Sequence, residues 1–516
     1  MNVLPVPSKL KVTQIDYWVE EEIWGHRFYN DQTPWLIFLE FLAVLRDQVE
    51  KGEAFKCTSD KGDHEDFTYS MPLRLPLRFL LFNNPYLHHV EVTEEGNDAQ
   101  WDRWLHIIKS SAVERAGVDF TYLRQHFEYR HLVRVAEVFQ ASAIGADSGK
   151  RWTSKFVYPH GPDCLFSEVS DKAGSKSRDR RFFARGGELL YLMLTRSGYG
   201  EQLLPMLQRV VLDENKAWNR MAKALLPRDQ ADDITNPAQI GYLPYAQRPE
   251  YGDLANDWIS LLRLNMPGES VLDPLVRISS LHILRYLFNR AHEVINDGTF
   301  TRFVLEITAP KSTPIRALSA DNYSANRRLT ENAIEQHLKS FKATPEWRNA
   351  SETLDADSAR MALRNRFGFE NKSLKGADGN TPDKVFNNFF RSVKSRHQQH
   401  FSSVPGVIAR HIGLAVHRRG MKTRYAPTDA LLKAVVFATV DGPMEFNVFL
   451  RELYRKYRFV IGANEAREAF DELPIDKRVF DENAQRLESR LLALGLLRRL
   501  SDDCAYVINA FGGSRG

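Results

Sequence analysis

Thr428–Gly462 reads "TDALLKAVVFATVDGPMEFNVFLRELYRKYRFVIG", and Asp481–Asn509 reads "DENAQRLESRLLALGLLRRLSDDCAYVIN". Thr428 stands where a helix N-cap belongs, because its hydroxyl can accept one of the orphan N–H groups of an apolar first turn. After a turn at Asp441-Gly442-Pro443, Phe446, Phe449, Leu450 and Leu453 recur at helical spacing and define one apolar face. "ANEAREAFDEL" predicts a short third helix. Leu487, Leu491, Leu492 and Leu494 predict a fourth, with Gly495 ending it. Two short strands then flank Ser501-Asp502-Asp503. Helices followed by a β-hairpin are the order of a winged-helix domain. The same order fits a helical domain whose hairpin serves only protein contacts, and winged helices themselves often bind proteins. Residues 428–516 are expected to fold as a unit. The fourth helix and hairpin carry Arg486, Arg490, Arg498 and Arg499, but the hairpin tip is acidic, which is poor chemistry for lying on phosphate.

Upstream lies a basic run. From Arg391 to Thr428 there is no Asp or Glu, while Arg391, Lys394, Arg396, Arg410, Arg418, Arg419, Lys422 and Arg424 are present. Such a cluster is an electrostatic footprint for backbone phosphates. It would bind double-stranded DNA without sequence preference, leaving the C-terminal segment to a protein partner. The competing reading is a solvated face or a patch that docks on an acidic subunit. His397, His400, His411 and His417 lie in the same run, but no carboxylate or cysteine accompanies them to complete a metal shell. No metal or cofactor is expected.

The whole chain is not a nucleic-acid coat: its 516 residues carry a net charge of only +4, so any basic function must be local. That length exceeds one ordinary core and predicts several domains. The expected division is 1–295, helical, of one or two subdomains; 296–427, mixed; and 428–516. Within the first segment Pro34 starts an apolar helix through Leu45, and Asp273-Pro274 is expected to cap a long helix ending near Ile295. Thr299–Pro310, "TFTRFVLEITAP", is the best strand candidate; the polar stretch from Lys311 to Asp383 suggests short helices. Helix dominates, so the fold class is mainly α and multi-domain. Three scattered cysteines, Cys57, Cys164 and Cys504, argue against a disulfide framework and suit a reducing cytoplasm. No apolar stretch approaches a membrane span, so a cytoplasmic protein without membrane contact is expected.

"DRRFFARGGELLYLMLTRSG" (Asp179–Gly198) poses a separate question. Arg178, Arg180, Arg181 and Arg185 precede Gly186-Gly187 and a helix expected to start near Glu188. A glycine-led helix start exposes N–H groups to anions. No Gly-Lys-Ser/Thr follows, so this is not a Walker phosphate loop. Glu188 could equally satisfy the N–H groups itself, which makes a basic surface loop entering a buried helix the simpler reading. The nearest approach to nuclease carboxylates is "PDCLFSEVSDK", with Asp163, Glu168 and Lys172, and "VLEITAPK", with Glu306 and Lys311. Neither has the spacing that two metal-bearing strands need, and no hydrolase or kinase signature is present.

Three phrases together carry a resemblance: "EEEIWGHRFYNDQTPWLIFLEFL" (Glu20–Leu42), "RRFFARGGELLYLML" (Arg180–Leu194) and the Thr428–Gly462 stretch. They resemble a group of uncharacterised bacterial proteins met in anti-phage defence loci beside a DNA-translocase-type ATPase. The closest association is with DNA-modification-linked systems, either methylation-associated or phosphorothioate-dependent. The resemblance implies a non-ATPase subunit and assigns no functional residues. The expectation is therefore a non-catalytic DNA-binding or adaptor subunit working with such an ATPase. The alternatives are a metal-dependent nuclease with a non-standard site, or a scaffold that never touches DNA.

Overall fold

The computed structural model of the chain describes residues 4, 15–26, 28, 32–56, 67–70, 86–109, 120–141, 169–172, 175–178, 185–226, 239–267, 269–309, 313–369, 381–501 and 504–512. It is mainly helical, with short strands. Among the described residues no helix is long and apolar enough to cross a membrane. Two compact units interleave along the sequence: a larger one of 1–34, 192–203 and 242–516, and a smaller one of 35–191 and 204–241. The boundaries expected near 295 and 427 both fall inside the larger unit.

The reason is the helix Leu272–Ile295, the central helix of the larger unit. Leu275, Ile278, Leu281, Leu284, Tyr286, Leu287 and Phe288 are buried around its whole circumference, as a helix packed on all sides requires. It packs against Pro249–Arg263, Pro314–Phe341 and Asp429–Thr439, so it joins all three segments that the sequence suggested as separate. It starts one residue before the expected cap. Asp273 lies within the first turn and accepts two hydrogen bonds from Arg277 at 2.6 and 2.9 Å. The helix Ile15–Trp24 is tied to it by Trp24 Nε1–H donating to the Leu287 carbonyl at 3.0 Å and Tyr286 O–H donating to the Trp24 carbonyl at 2.6 Å.

Residues 311–383 do not form only short helices, as expected: Pro314–Phe341 is one long helix. The expected strand shrinks to Phe303–Val304, paired in parallel with Phe459–Val460. The buried backbone beyond it bonds to side chains instead. Ile307 N–H donates to Asn483 Oδ1 at 2.8 Å, and Asn483 Nδ2 donates to the carbonyls of Leu305 and Ile461. Val304, Ile315, Val460, Ala463, Ala466 and Phe480 close one core around this pairing.

Thr428 caps the helix Asp429–Thr439 by accepting from Leu431 N–H at 3.4 Å. Then follow strand Met444–Glu445, helices Phe446–Tyr457, Ala463–Ala469 and Lys477–Ala493, and the antiparallel strands Leu497–Ser501 and Cys504–Val507. Met444–Glu445 pairs antiparallel with Cys504–Val507, making a three-stranded sheet. Asp502 and Asp503 lie outside the described residues. The segment does not stand apart as a unit. Asp257, on Pro249–Arg263, accepts hydrogen bonds from Lys456 Nζ at 2.9 Å, Tyr457 O–H at 2.7 Å and His282 Nε2 at 2.8 Å, all within the larger unit.

In the smaller unit, Pro34–Glu50 buries Leu36 through Leu45, as its apolar run predicts. Asn97–Lys109 and Tyr129–Ala141 meet through Trp101 and Tyr129, whose rings are 5.4 Å apart. Thr68–Tyr69 pairs antiparallel with Gln239–Ile240.

Candidate nucleic-acid interface

The helix Pro382–His400 turns Val385, Phe386, Phe389 and Val393 inward, which leaves Arg391 and Arg396 on its exposed face. Lys394 is held by the long helix: its Nζ is 2.8 Å from Glu331 and 2.7 Å from Glu335. The hydrogen bond to Glu331, then that to Glu335, pushes its ammonium up to about 12. Its charge is thus largely spent between the two helices. Arg410 is exposed at the end of the short helix Val404–His411. Arg424 is buried, and its Nε donates to Glu306, which also accepts from Arg316 Nε at 2.7 Å. Arg424 is therefore withdrawn from the surface set. Glu306 serves two guanidinium groups rather than a metal. His397 is buried between Glu20 at 2.9 Å and Thr330 at 3.2 Å. Among the described residues no three His, Cys, Asp or Glu side chains gather into a metal-binding group. Asp163, Glu168 and Lys311 lie outside the described residues.

Arg418, Arg419 and Lys422 come together at the tip of a hairpin that the sequence reading missed. Its strands, Ala415–Val416 and Arg424–Tyr425, pair with Ala415 opposite Tyr425 and Val416 opposite Arg424. The base is pinned to the long helix. The Tyr425 ring is buried edge-on to Phe303 and Tyr323, its hydroxyl accepts from Asn326 Nδ2 at 3.0 Å, and its N–H donates to Ser319 Oγ at 3.0 Å. Burial pushes that phenol far above its ordinary range. Met421 N–H donates to the Arg418 carbonyl at 3.0 Å and closes the turn. Gly420, at φ +78°, occupies the position where a type II turn needs positive φ. His417 and Thr423 meet at 3.0 Å across the neck. Beyond that neck, Arg418 through Lys422 are all exposed.

An open cleft of about 450 Å³ lies between this hairpin, the long helix and the Pro382–His400 helix. Its cations are Arg327, Arg328 and Lys422; Ser324, Ser402 and Thr423 add hydroxyls. The carboxylate in the wall, Glu331, is held below its usual range chiefly by the Lys394 hydrogen bond. Lys422 Nζ is 3.6 Å from Asp321, with both side chains well exposed, a pairing worth little in water. The cleft therefore keeps a net positive lining. Arg327 and Arg328 were not found from the sequence. Their only signal is an Arg-Arg dipeptide, about sixty positions before the start of the basic run.

The glycine-led helix start is closed by the protein's own carboxylates. The helix begins at Arg185, not near Glu188, so Gly186 and Gly187 lie inside it and are buried. Gly187 N–H donates to Glu40 Oε2 at 3.1 Å. Arg185 donates to Glu188 at 2.7 Å and to the Ile240 carbonyl at 3.0 Å, while Tyr69 O–H donates to Glu188 at 2.6 Å. Burial, then the charge of Glu188, pushes the Tyr69 phenol well up. The N–H dipoles and Arg185 already have anionic partners. Arg178 ends the strand Ser175–Arg178; Arg180 and Arg181 lie outside the described residues.

Most arginines of the last helix and hairpin are likewise matched to acids. Arg490 bonds Asp429 at 2.7 Å, Arg499 bonds Glu488 at 2.6 Å, and Arg486 bonds Glu482 at 3.0 Å; Arg498 is exposed. No family model, no curated protein and no solved structure matches the chain.

Proposed function

We propose that this chain is a non-catalytic DNA-binding adaptor, and that its basic hairpin grips phosphate. The observation that carries this reading is the juxtaposition of Arg418, Arg419 and Lys422 on an exposed, anchored tip with Arg327 and Arg328 beside it. Cations presented on a rigid support neutralise phosphates at low ordering cost. The resemblance to defence-locus proteins supplies the setting: a complex with a DNA-translocase-type ATPase.

The C-terminal segment is read as a winged helix that docks on that partner. Helix, short strand, helices and a terminal hairpin, with the short strand paired to the last strand, follow winged-helix order, with Ala463–Ala469 as an additional helix. Its arginines are largely matched by Asp429, Glu482 and Glu488, which favours a protein surface over phosphate.

The test is a salt titration of duplex binding by fluorescence anisotropy. Replacing Arg418, Arg419 and Lys422 with Ala is expected to weaken binding to every sequence alike. The logarithmic salt slope should fall by up to about three. Unchanged affinity and slope in a folded triple variant would rule out this hairpin as the footprint, and absence of duplex binding by the wild type would leave the scaffold reading in its place.

A further inference from the structure

We infer that the preferred ligand of this surface is a duplex end or fork, with the hairpin on the last base pair and one strand led into the cleft. The inference rests on the DNA-binding reading and adds the ligand's shape.

Two observations carry it. The first is Met421. A tip built to lie on phosphates would be polar throughout, yet between Gly420 and Lys422 stands a thioether side chain that is 48% exposed. Leaving it in water has no structural benefit, since the hairpin is held at its base by Tyr425 and not at its tip. An apolar side chain flanked by cations is the arrangement by which proteins set a wedge against a base step while neighbouring charges hold the backbone. Methionine, unbranched and polarisable, suits contact with a flat base.

The second is the cleft. It shares Lys422 with the hairpin and continues along Arg327 and Arg328 of the long helix. At about 450 Å³ it falls in the size range that encloses one small-molecule-sized ligand. A double helix cannot enter it; one or two nucleotides of a single strand can. Its cations suit phosphodiester oxygens, and Tyr323, the aromatic residue in its wall, is buried. Entry is therefore governed by the backbone and not by base identity. Wedge and cleft lie side by side, so a strand displaced at Met421 would meet Arg327 and Arg328 next.

The experiment compares the full chain on a blunt duplex, the same duplex ending in two unpaired oligothymidine arms, and oligothymidine alone. The fork is expected to bind about tenfold more tightly than the blunt duplex, the scale of one additional charge-assisted phosphate contact. Arg327→Ala with Arg328→Ala, and separately Met421→Ala, should each weaken binding of the fork by more than that of the blunt duplex and so close the gap between the two. 2-Aminopurine at the terminal base pair should brighten on binding in the wild type and not in Met421→Ala. Equal wild-type affinities for fork and blunt duplex would overturn the inference while sparing the DNA-binding reading. So would an Arg327/Arg328 variant that weakens both substrates equally. Absence of binding to any of the three would defeat the underlying reading itself. Thermal melting of each variant checks that these exposed substitutions leave the fold intact.

Discussion

Asp257 has no exposed surface and is nonetheless ionised. Burial alone would raise its pKa. The hydrogen bond from His282 and the charge and hydrogen bond of Lys456 outweigh that cost and hold the carboxyl below its ordinary value. Arg285 Nη1 lies 3.3 Å from His282 Nδ1 and can only donate. The sign of the pH dependence follows. A carboxylate depressed in the folded state contributes stability above the ordinary value of about 4, and this is lost as pH falls through the lower folded value. Urea unfolding should therefore give a stability that declines below about pH 4. Asp257→Asn should cost roughly 3–5 kcal/mol at neutral pH, as loss of one partner of a buried charge pair does, and should flatten the acid limb. An unaltered acid limb would remove Asp257 from that role. Charge alone could not distinguish Arg424 from Arg418 in the sequence. The partner that buries Arg424, Glu306, lies 118 positions away.

Helices were legible wherever their buried stripe is apolar. Pro34–Glu50 and Asp429–Thr439 have such stripes and were read directly. Pro314–Phe341 was not, because its buried face is built from Ser319, Ala320, Asn326, Thr330 and Ala333 as well as Ile315, Leu329, Ile334 and Leu338. Ser319 and Asn326 are inside because they bond the basic hairpin and the Arg302 carbonyl, so no hydrophobic period marks the face. The hairpin escaped for a related reason: its strands are two residues each, and it is anchored by one tyrosine and one arginine whose partners lie far away in the chain. The Gly-Gly start was legible as a helix entrance but not as a close contact. A Cβ on Gly187 would lie 2.2 Å from the Phe41 nitrogen and 2.3 Å from the Glu40 carbonyl carbon. Backbone cannot yield as a flexible side chain can. Gly187→Ala should destabilise the smaller unit by roughly 1–3 kcal/mol or more, as overpacking does, and leave DNA affinity unchanged. Limited proteolysis with mass mapping reads the first effect: cleavage should rise within 35–191. A variant as resistant as wild type would show that the two helices can separate at no cost.

The larger unit does not divide at the position where the sequence invites a cut. Removing 428–516 would strip Leu431, Leu432, Val435 and Val436 from the core. It would also take Lys456 and Tyr457 from Asp257, and Asn483 from the Leu305 and Ile307 backbone. Buried groups left without partners each cost on the order of 1–3 kcal/mol, against a total stability of roughly 5–15 kcal/mol for a domain. The shortened chain is expected to lose cooperative thermal unfolding and to bind a hydrophobic dye, instead of remaining a folded DNA-binding fragment. A sharp melting transition without dye binding would establish the independence that the sequence suggested. The apolar pattern of 428–516 was legible, but its attachment was not. That attachment runs through polar side chains whose partners lie far away in the chain.

The same feature bears on synthesis. Ile307 and the side chain that receives its N–H are 176 positions apart, and the parallel pairing of Phe303–Val304 with Phe459–Val460 spans a similar loop. Contacts of that range form late, because the chain must be closed into a long loop before any of them contributes. A ribosome adding roughly 5–20 residues per second would leave the all-round apolar central helix without its Asp429–Thr439 cover for several seconds or more. Ile15–Trp24, translated early, docks onto that same helix. In the order of manufacture, the central helix waits on a cover that is made well over a hundred residues later, and the interval is when this protein most needs a chaperone.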